Sequence, residues 1–319
     1  MRTLNRDFKL MCQRNRDGSF ATQKDRERML TMVANQLHEG GFKNLRVQGL
    51  RTKHVEYLVS HWQAEGASSG TLKNRMSALR WVAEKIGKEN IVARDNAAYG
   101  IADRKFVTNE SKAKVLDSAK LARVTDANTA MSLQLQEAFG LRREESIKIQ
   151  PGWADRGDTL VLKASWTKGG KEREIPICND AQRLVLDQAK ALALTNGGSR
   201  SLIPSDLRYV DQLNRFKAQT AFAGIDRVHG LRHAYAQARY LELTGWHAPA
   251  VGGPTSRQLS PQMKDIDRQA RLTISRELGH EREQITAVYL GKSTVMRSKA
   301  PCSHIANGPP EGELHIKVP

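Results

Sequence analysis

The sequence predicts a mainly α-helical protein of two domains carrying one small β-hairpin. Three observations predict it. The 319 residues suffice for two domains at about 100–200 residues each. Apolar residues recur at steps of three and four along most of the chain. Only the stretch 159–177 alternates in the manner of paired strands.

In chain order, residues 1–20 are polar and basic and read as a mobile arm. A helix begins at Thr22, with Met29, Val33 and Leu37 on one face, and stops at Gly40-Gly41. A second, from about Thr52 to Glu65, groups Val55, Leu58, Val59 and Trp62, and the loop Gly66-Ala67-Ser68-Ser69-Gly70 ends it. A third runs from Thr71 to about Ile86, with Leu72, Met76, Leu79, Ala83 and Ile86 on one side and Lys73, Arg75, Arg80 and Lys85 on the other. Residues 91–125 lack a periodic segment and read as a linker and the entry to a second domain. There Asp126–Phe139 is helical, Gly140 breaks it, and Arg142–Ile149 opens a short helix. The strands Thr159–Ala164 and Glu172–Ile177 flank a Lys168-Gly169-Gly170-Lys171 turn, with Ile175 and Ile177 alternating against charged residues. Helices follow at Ala181–Leu194, Val210–Ala221 and Leu231–Leu243. A Gly- and Pro-rich stretch, Gly245–Pro261, precedes a helix at Met263–Leu278. The last thirty residues read as loop, with a short strand candidate near Leu314–Val318.

Lys and Arg number 51 against 34 Asp and Glu, a net charge of +17. Such an excess points first to nucleic acid and second to an anionic membrane surface. The sequence contains no run of about 18 apolar residues that could span a bilayer, and its first residues lack the apolar stretch of a signal peptide. Cys12, Cys178 and Cys302 are few, odd in number and far apart, which favours reduced thiols and a cytoplasmic setting over a disulfide framework. His229 and His233 stand one helical turn apart, but Gly230 occupies the place where a zinc protease needs Glu, and Arg232 would repel a cation. Gly291-Lys292-Ser293-Thr294 ends like a phosphate loop yet lacks its earlier glycine, so nucleotide binding is not expected.

Five patterns in the second domain carry chemistry. They are Gly140-Leu141-Arg142-Arg143-Glu144-Glu145, Thr167-Lys168-Gly169-Gly170-Lys171-Glu172-Arg173, His229-Gly230-Leu231-Arg232-His233, Leu278-Gly279-His280 and Val288-Tyr289-Leu290-Gly291. In this order, with Tyr289 nine residues after His280, the chain resembles the tyrosine recombinase (phage integrase) family, in a branch found in mobile elements. The resemblance implies a helical core-binding domain over 21–108 after the 1–20 arm. An α+β catalytic domain over 109–292, with an insertion at about 245–270, and a tail over 293–319 would follow.

The resemblance also implies roles. Arg142 and Arg232 would hold the non-bridging oxygens of a scissile phosphate through forked, permanently charged donors. Tyr289 would be the nucleophile, forming a 3′-phosphotyrosyl bond. Lys168 would protonate the leaving 5′ oxygen, His229 would accept the tyrosine proton, and His280 would hydrogen-bond the phosphate. Glu145 would orient the basic residues, with His233 in support. Arg143 competes with Arg142 in register, and Lys163 and Lys171 compete with Lys168. Lys73, Arg75 and Arg80 are either a solvated helix face or phosphate contacts of the core-binding domain.

From Arg232 to His280 is 48 residues, about twice the separation in simpler members of the family. The excess is either a tolerated surface insertion or an added contact with DNA or a neighbouring protomer through Lys264, Arg268 and Arg271. The implied function is metal-free, cofactor-free strand exchange between paired duplex DNA sites. A homotetramer would carry it out with accessory DNA-bending or directionality proteins, at a bacterial or phage nucleoid and without a membrane. Integration or excision is the first reading, and dimer resolution or inversion uses the same chemistry. A DNA-binding protein that has lost the chemistry and a type IB topoisomerase are the rivals from other classes.

Overall fold

The computed structural model describes residues 2–280 and 283–292. The chain divides into two compact units, Met1–Lys105 and Phe106–Pro319, each with its own core. The protein is mostly helical, and the one sheet among the described residues is a two-stranded hairpin.

The first unit contains α1 (Thr3–Arg14), α2 (Phe20–Glu39), α3 (Thr52–Ala64) and α4 (Ser69–Lys85). Ser19 and Ser68 cap α2 and α4 by accepting the N–H groups of Thr22 and Thr71. Leu30, Val33 and Leu37 of α2 close on Leu58 and Trp62 of α3 and on Met76 and Leu79 of α4. Trp62 is fully buried, and its indole N–H donates to Gln36 Oε1 at 2.8 Å.

The expectation of a mobile arm at residues 1–20 is overturned. Residues 3–14 form α1, which buries Leu4 and Phe8 in the same core. Basic residues on three sides of the helix hid a narrow apolar stripe at an i, i+4 spacing. Leu4→Ala is therefore expected to destabilise this unit by about 2 kcal/mol, read by chemical denaturation. A mobile arm would show no change.

The second unit contains α5 (Ser118–Ala122), α6 (Ala127–Phe139), α7 (Arg143–Lys148), α8 (Pro151–Ala154), β1 (Thr159–Leu162), β2 (Arg173–Pro176), α9 (Asp180–Leu194), α10 (Tyr209–Ala223), α11 (His229–Thr244), α12 (Pro261–Glu277) and α13 (Glu283–Leu290). β1 and β2 pair antiparallel, with Leu160 opposite Ile175 and Leu162 opposite Arg173. α6 is the central helix: it is buried on nearly all sides, with Leu135 and Phe139 in one core cluster and Leu133 in another. Its buried Asn128 exchanges side-chain hydrogen bonds with Asn196, so a polar residue is tolerated there.

Two expectations for this unit need correction. Residues 283–290, within a stretch with no predicted element, are the helix α13. The segment after Gly245 is no surface insertion either, because Ala248, Ala250 and Leu259 are buried. The strand candidate near Leu314–Val318, the 293–319 tail and Cys302 lie outside the described residues. No helix among the described residues is long and apolar enough to cross a membrane.

Candidate active site

Four chain segments converge in the second unit. α6 stops at Gly140, and the chain turns so that Arg142 stands immediately before α7 with Glu145 in its first turn. α11 starts at His229 and carries Arg232 and His233 on its first turns. α12 ends at Leu278-Gly279, which delivers His280. α13 brings Tyr289.

Glu145 is fully buried and organises the cations. Its carboxylate accepts the Arg142 backbone N–H and Nη1, each at 2.7 Å, and Arg173 Nη1 and Nη2 at 2.9 and 2.7 Å. Burial alone would raise its pKa; the Arg173 and Arg142 guanidiniums and the Arg142 N–H outweigh this, and the net direction is down. The Leu278 carbonyl collects three guanidiniums, accepting from Arg142 Nη2 at 3.3 Å, from Arg173 Nη1 at 3.4 Å and from Arg232. Arg232 also donates to the Gly140 carbonyl, and it is 1% exposed. Its pKa falls to about 10 through burial and the nearby Arg173 and Arg142, so it stays charged at neutral pH. Two arginines thus share one carboxylate while Arg232 beside them bonds only carbonyls and Tyr289, leaving the site cationic and suited to an anion.

Tyr289 is 5% exposed and lies against this cluster. Its hydroxyl oxygen is 3.3 Å from Arg232 Nε, which donates to it, and 3.4 Å from His280 Nε2. The His233 ring packs on the Tyr289 ring at 4.6 Å between centroids, and the His229 ring stands 6.0 Å away. Burial and then neighbouring cations depress the imidazoles. His233 and His280 fall to about 4, and His229 is lowered as well. His229 and His233 meet edge to face, and among the described residues no three His, Cys, Asp or Glu gather around a common point.

Lys168 stands on the hairpin turn and lines an open cleft of about 780 Å³ together with Arg142, Arg173 and His280. Lys171 lines the same cleft. Lys163 instead lies over the Trp153 and Trp166 rings and donates to Gln150 Oε1 at 3.0 Å. Gly279 has φ +64°, and a Cβ there would come within 2.9 Å of Arg173 Cδ. A side chain at this position would displace the guanidinium from Glu145.

Arg173 is the residue that sequence reasoning missed as part of the site. It is 7% exposed and sits on the same face of β2 as Ile175. A charged residue in phase with the apolar face of an alternating strand was the signal available.

Lys73, Arg75 and Arg80 of α4 do not form a free face. Lys73 pairs with Asp103 at 2.6 Å. Arg75 lies over the Trp62 ring and 3.8 Å from Glu65. Arg80 donates to the Ala93 carbonyl and to Asn96 Oδ1. The chain after α4 takes up the heads of Lys73 and Arg80, and the end of α3 takes up that of Arg75, so they hold the unit together.

Residues 1–92 match the family model described as phage integrase, N-terminal, and residues 102–238 match the integrase model. The chain belongs to the tyrosine recombinase (phage integrase) family. The second match ends before His280 and Tyr289, so those two positions rest on the geometry above. Among solved structures the fold is similar to that of a lambda integrase dimer bound to a COC′ core site. That likeness has 17% identity and a TM-score of 0.56, over 94% of this chain and 79% of that one. It is also similar to the XerH site-specific recombinase bound to difH substrate, at 15% identity and a TM-score of 0.54, over 92% of this chain and 81% of that one. The Tn1549 transposon integrase in complex with circular intermediate DNA is a third, at 14% identity and a TM-score of 0.52, over 92% of this chain and 97% of that one. At these identities the likeness is one of fold. No curated protein sequence matches the chain.

Proposed function

We propose that the protein is a catalytically competent site-specific recombinase that cuts and rejoins duplex DNA through a 3′-phosphotyrosyl intermediate. The observation that carries the reading is the Tyr289 hydroxyl, held within 3.4 Å of both Arg232 Nε and His280 Nε2 of the same chain. A packing tyrosine would have no reason to point its hydroxyl into a cluster of three arginines.

In this mechanism Tyr289 Oη attacks the scissile phosphorus, the bond to the 5′ oxygen breaks, and the 3′ phosphate becomes esterified to tyrosine. Arg142 and Arg232 stabilise the charge that gathers on the non-bridging oxygens. Lys168 supplies the proton to the departing 5′ oxygen. The family resemblance gives the tyrosine proton to His229. We favour His280 instead, because its Nε2 stands 3.4 Å from the Tyr289 hydroxyl, whereas His229 makes no hydrogen bond to it among the described residues. A 5′ hydroxyl from the partner duplex then attacks the phosphotyrosine and releases Tyr289, so the energy of the broken linkage is conserved without a cofactor. The DNA core sites, dimers and Holliday-junction tetramer of the solved relatives support paired duplex sites and an oligomer as the working state here too.

Covalent capture tests the proposal. Wild type, Tyr289→Phe and His280→Gln are expressed in bacteria carrying the native flanking DNA, the lysate is denatured in chelator, and bonded DNA is sequenced. Wild type is expected to yield one junction and Tyr289→Phe none, with salt-sensitive DNA binding retained. His280→Gln is expected to slow adduct formation by about a hundredfold at pH 7, and the deficit should shrink at high pH, where hydroxide replaces the missing base. DNA recovered from all positions would mean a topoisomerase. Binding with no adduct from wild type would mean a protein that has lost the chemistry.

A further inference from the structure

The segment that lengthens the stretch between Arg232 and His280 ends up beneath the C-terminal end of α13, two residues from Tyr289. A helix end leaves carbonyls without intrahelical partners, and here side chains from two other segments take up carbonyls while a third accepts a backbone N–H. Gln237 Nε2 donates to the Tyr289 carbonyl at 3.0 Å, and Arg271 Nη1 donates to the Gly291 carbonyl at 3.1 Å. Asn109 Oδ1 accepts the Lys292 N–H at 2.9 Å.

The two side chains that donate to carbonyls are themselves held. Ser111 donates to Gln237 Oε1 at 3.0 Å. Arg271, 4% exposed, donates through Nε to Asp267 Oδ1 at 2.8 Å. That oxygen also accepts the Tyr240 hydroxyl at 2.5 Å, and the hydroxyl in turn accepts the Trp246 indole N–H at 3.2 Å. Gly291 has φ +83°, and a Cβ there would lie 2.7 Å from the Ala250 nitrogen, so the added segment abuts the helix end backbone to backbone. The cation at position 271 also complements the negative end of α13.

These contacts contradict the expectation that Arg271 reaches DNA or a neighbouring protomer. We infer that Arg271, braced by Asp267 and joined by Gln237, is a positioning residue that clasps α13 and holds the Tyr289 hydroxyl against Arg232 and His280. The clasp rests on the proposed recombinase reading and adds a purpose for the lengthened segment. Its action is on the nucleophile alone, because none of its groups touches Arg142, Lys168 or the Glu145 cluster.

The test compares two routes of cleavage on a nicked duplex carrying the junction recovered by capture. The first is the tyrosine route, read as the rate of covalent adduct formation by wild type, Arg271→Met and Arg271→Lys. The second is cleavage driven by hydrogen peroxide as an external nucleophile in the Tyr289→Phe background, with and without Arg271→Met. Arg271→Met is expected to slow adduct formation by about a hundredfold, the scale of an ångström's misplacement, and to leave peroxide cleavage within about twofold. Arg271→Lys, which keeps a cation and one donor, should recover most of the tyrosine route. An unchanged or faster adduct rate would overturn the clasp, as would equal losses by both routes, which mark general damage to the fold. Wild type failing to form the adduct would instead remove the recombinase reading on which the clasp depends.

Discussion

Glu145→Gln is expected to destabilise the second unit by about 3–5 kcal/mol, the cost of leaving one side of a buried ion pair without its partner. The carboxylate neutralises Arg173 and Arg142 inside the protein. Glutamine has the same shape, but its amide NH₂ cannot accept from a guanidinium and its single oxygen carries no charge. Denaturation followed by probes in each unit should show the transition of the second unit moving and that of the first staying in place. Equal movement of both transitions, or none, would contradict the role given to Glu145.

The same cluster predicts an acid dependence. The folded Glu145 carboxyl has a lowered pKa, so its stabilisation is present above about 4.5 and is lost as pH falls through the lower folded value. His229, His233 and His280 are also depressed. Their unfolded forms therefore bind protons first, and stability falls as pH drops below about 6.5, toward the folded values near 4 of His233 and His280. Both effects have the same sign, so acid should weaken the second unit, as checked by its denaturation curve at pH 7 and pH 5.

Arg232→Lys is the second expected result. It should slow adduct formation by about 10²–10³-fold, the scale for removing one donor aimed at developing charge, while changing stability by less than about 1 kcal/mol. Lysine offers a single amine in place of the fork that reaches Tyr289, Gly140 and Leu278 together. The small stability effect follows from the surroundings. Arg232 is a buried cation beside Arg142 and Arg173, which depress its pKa; a buried lysine gives up its proton far more readily than a guanidinium, and the relief of crowding that follows offsets the lost hydrogen bonds. Adduct kinetics on the captured junction and a denaturation curve check the two halves. A large loss of stability would show that Arg232 is held there for folding.

Helices with a regular apolar stripe were legible in the sequence, because the period alone places Val55, Leu58, Val59 and Trp62 on one face. The hairpin was legible from alternation and its Gly-Gly turn. α1 and α13 were not: one carries its two buried residues amid charge, and the other is eight residues long, too short for a period to declare itself. The basic residues of α4 show the converse failure. Their spacing describes a charged face correctly, but spacing carries no information about which distant segment lies across it.

The sequence by itself determined the class, the order of the elements and the set of residues from which a site could be built, since local periodicity and motif order are properties of the chain alone. Only the tertiary structure decided which of those residues share a carboxylate and which imidazole nitrogen lies nearest the Tyr289 hydroxyl. It also turned Arg271, which the sequence offered as a surface contact, into a buried brace. Many of these contacts join residues 20 to 136 positions apart. Distance between them is set by packing, because a buried guanidinium must find its acceptors wherever the fold brings them.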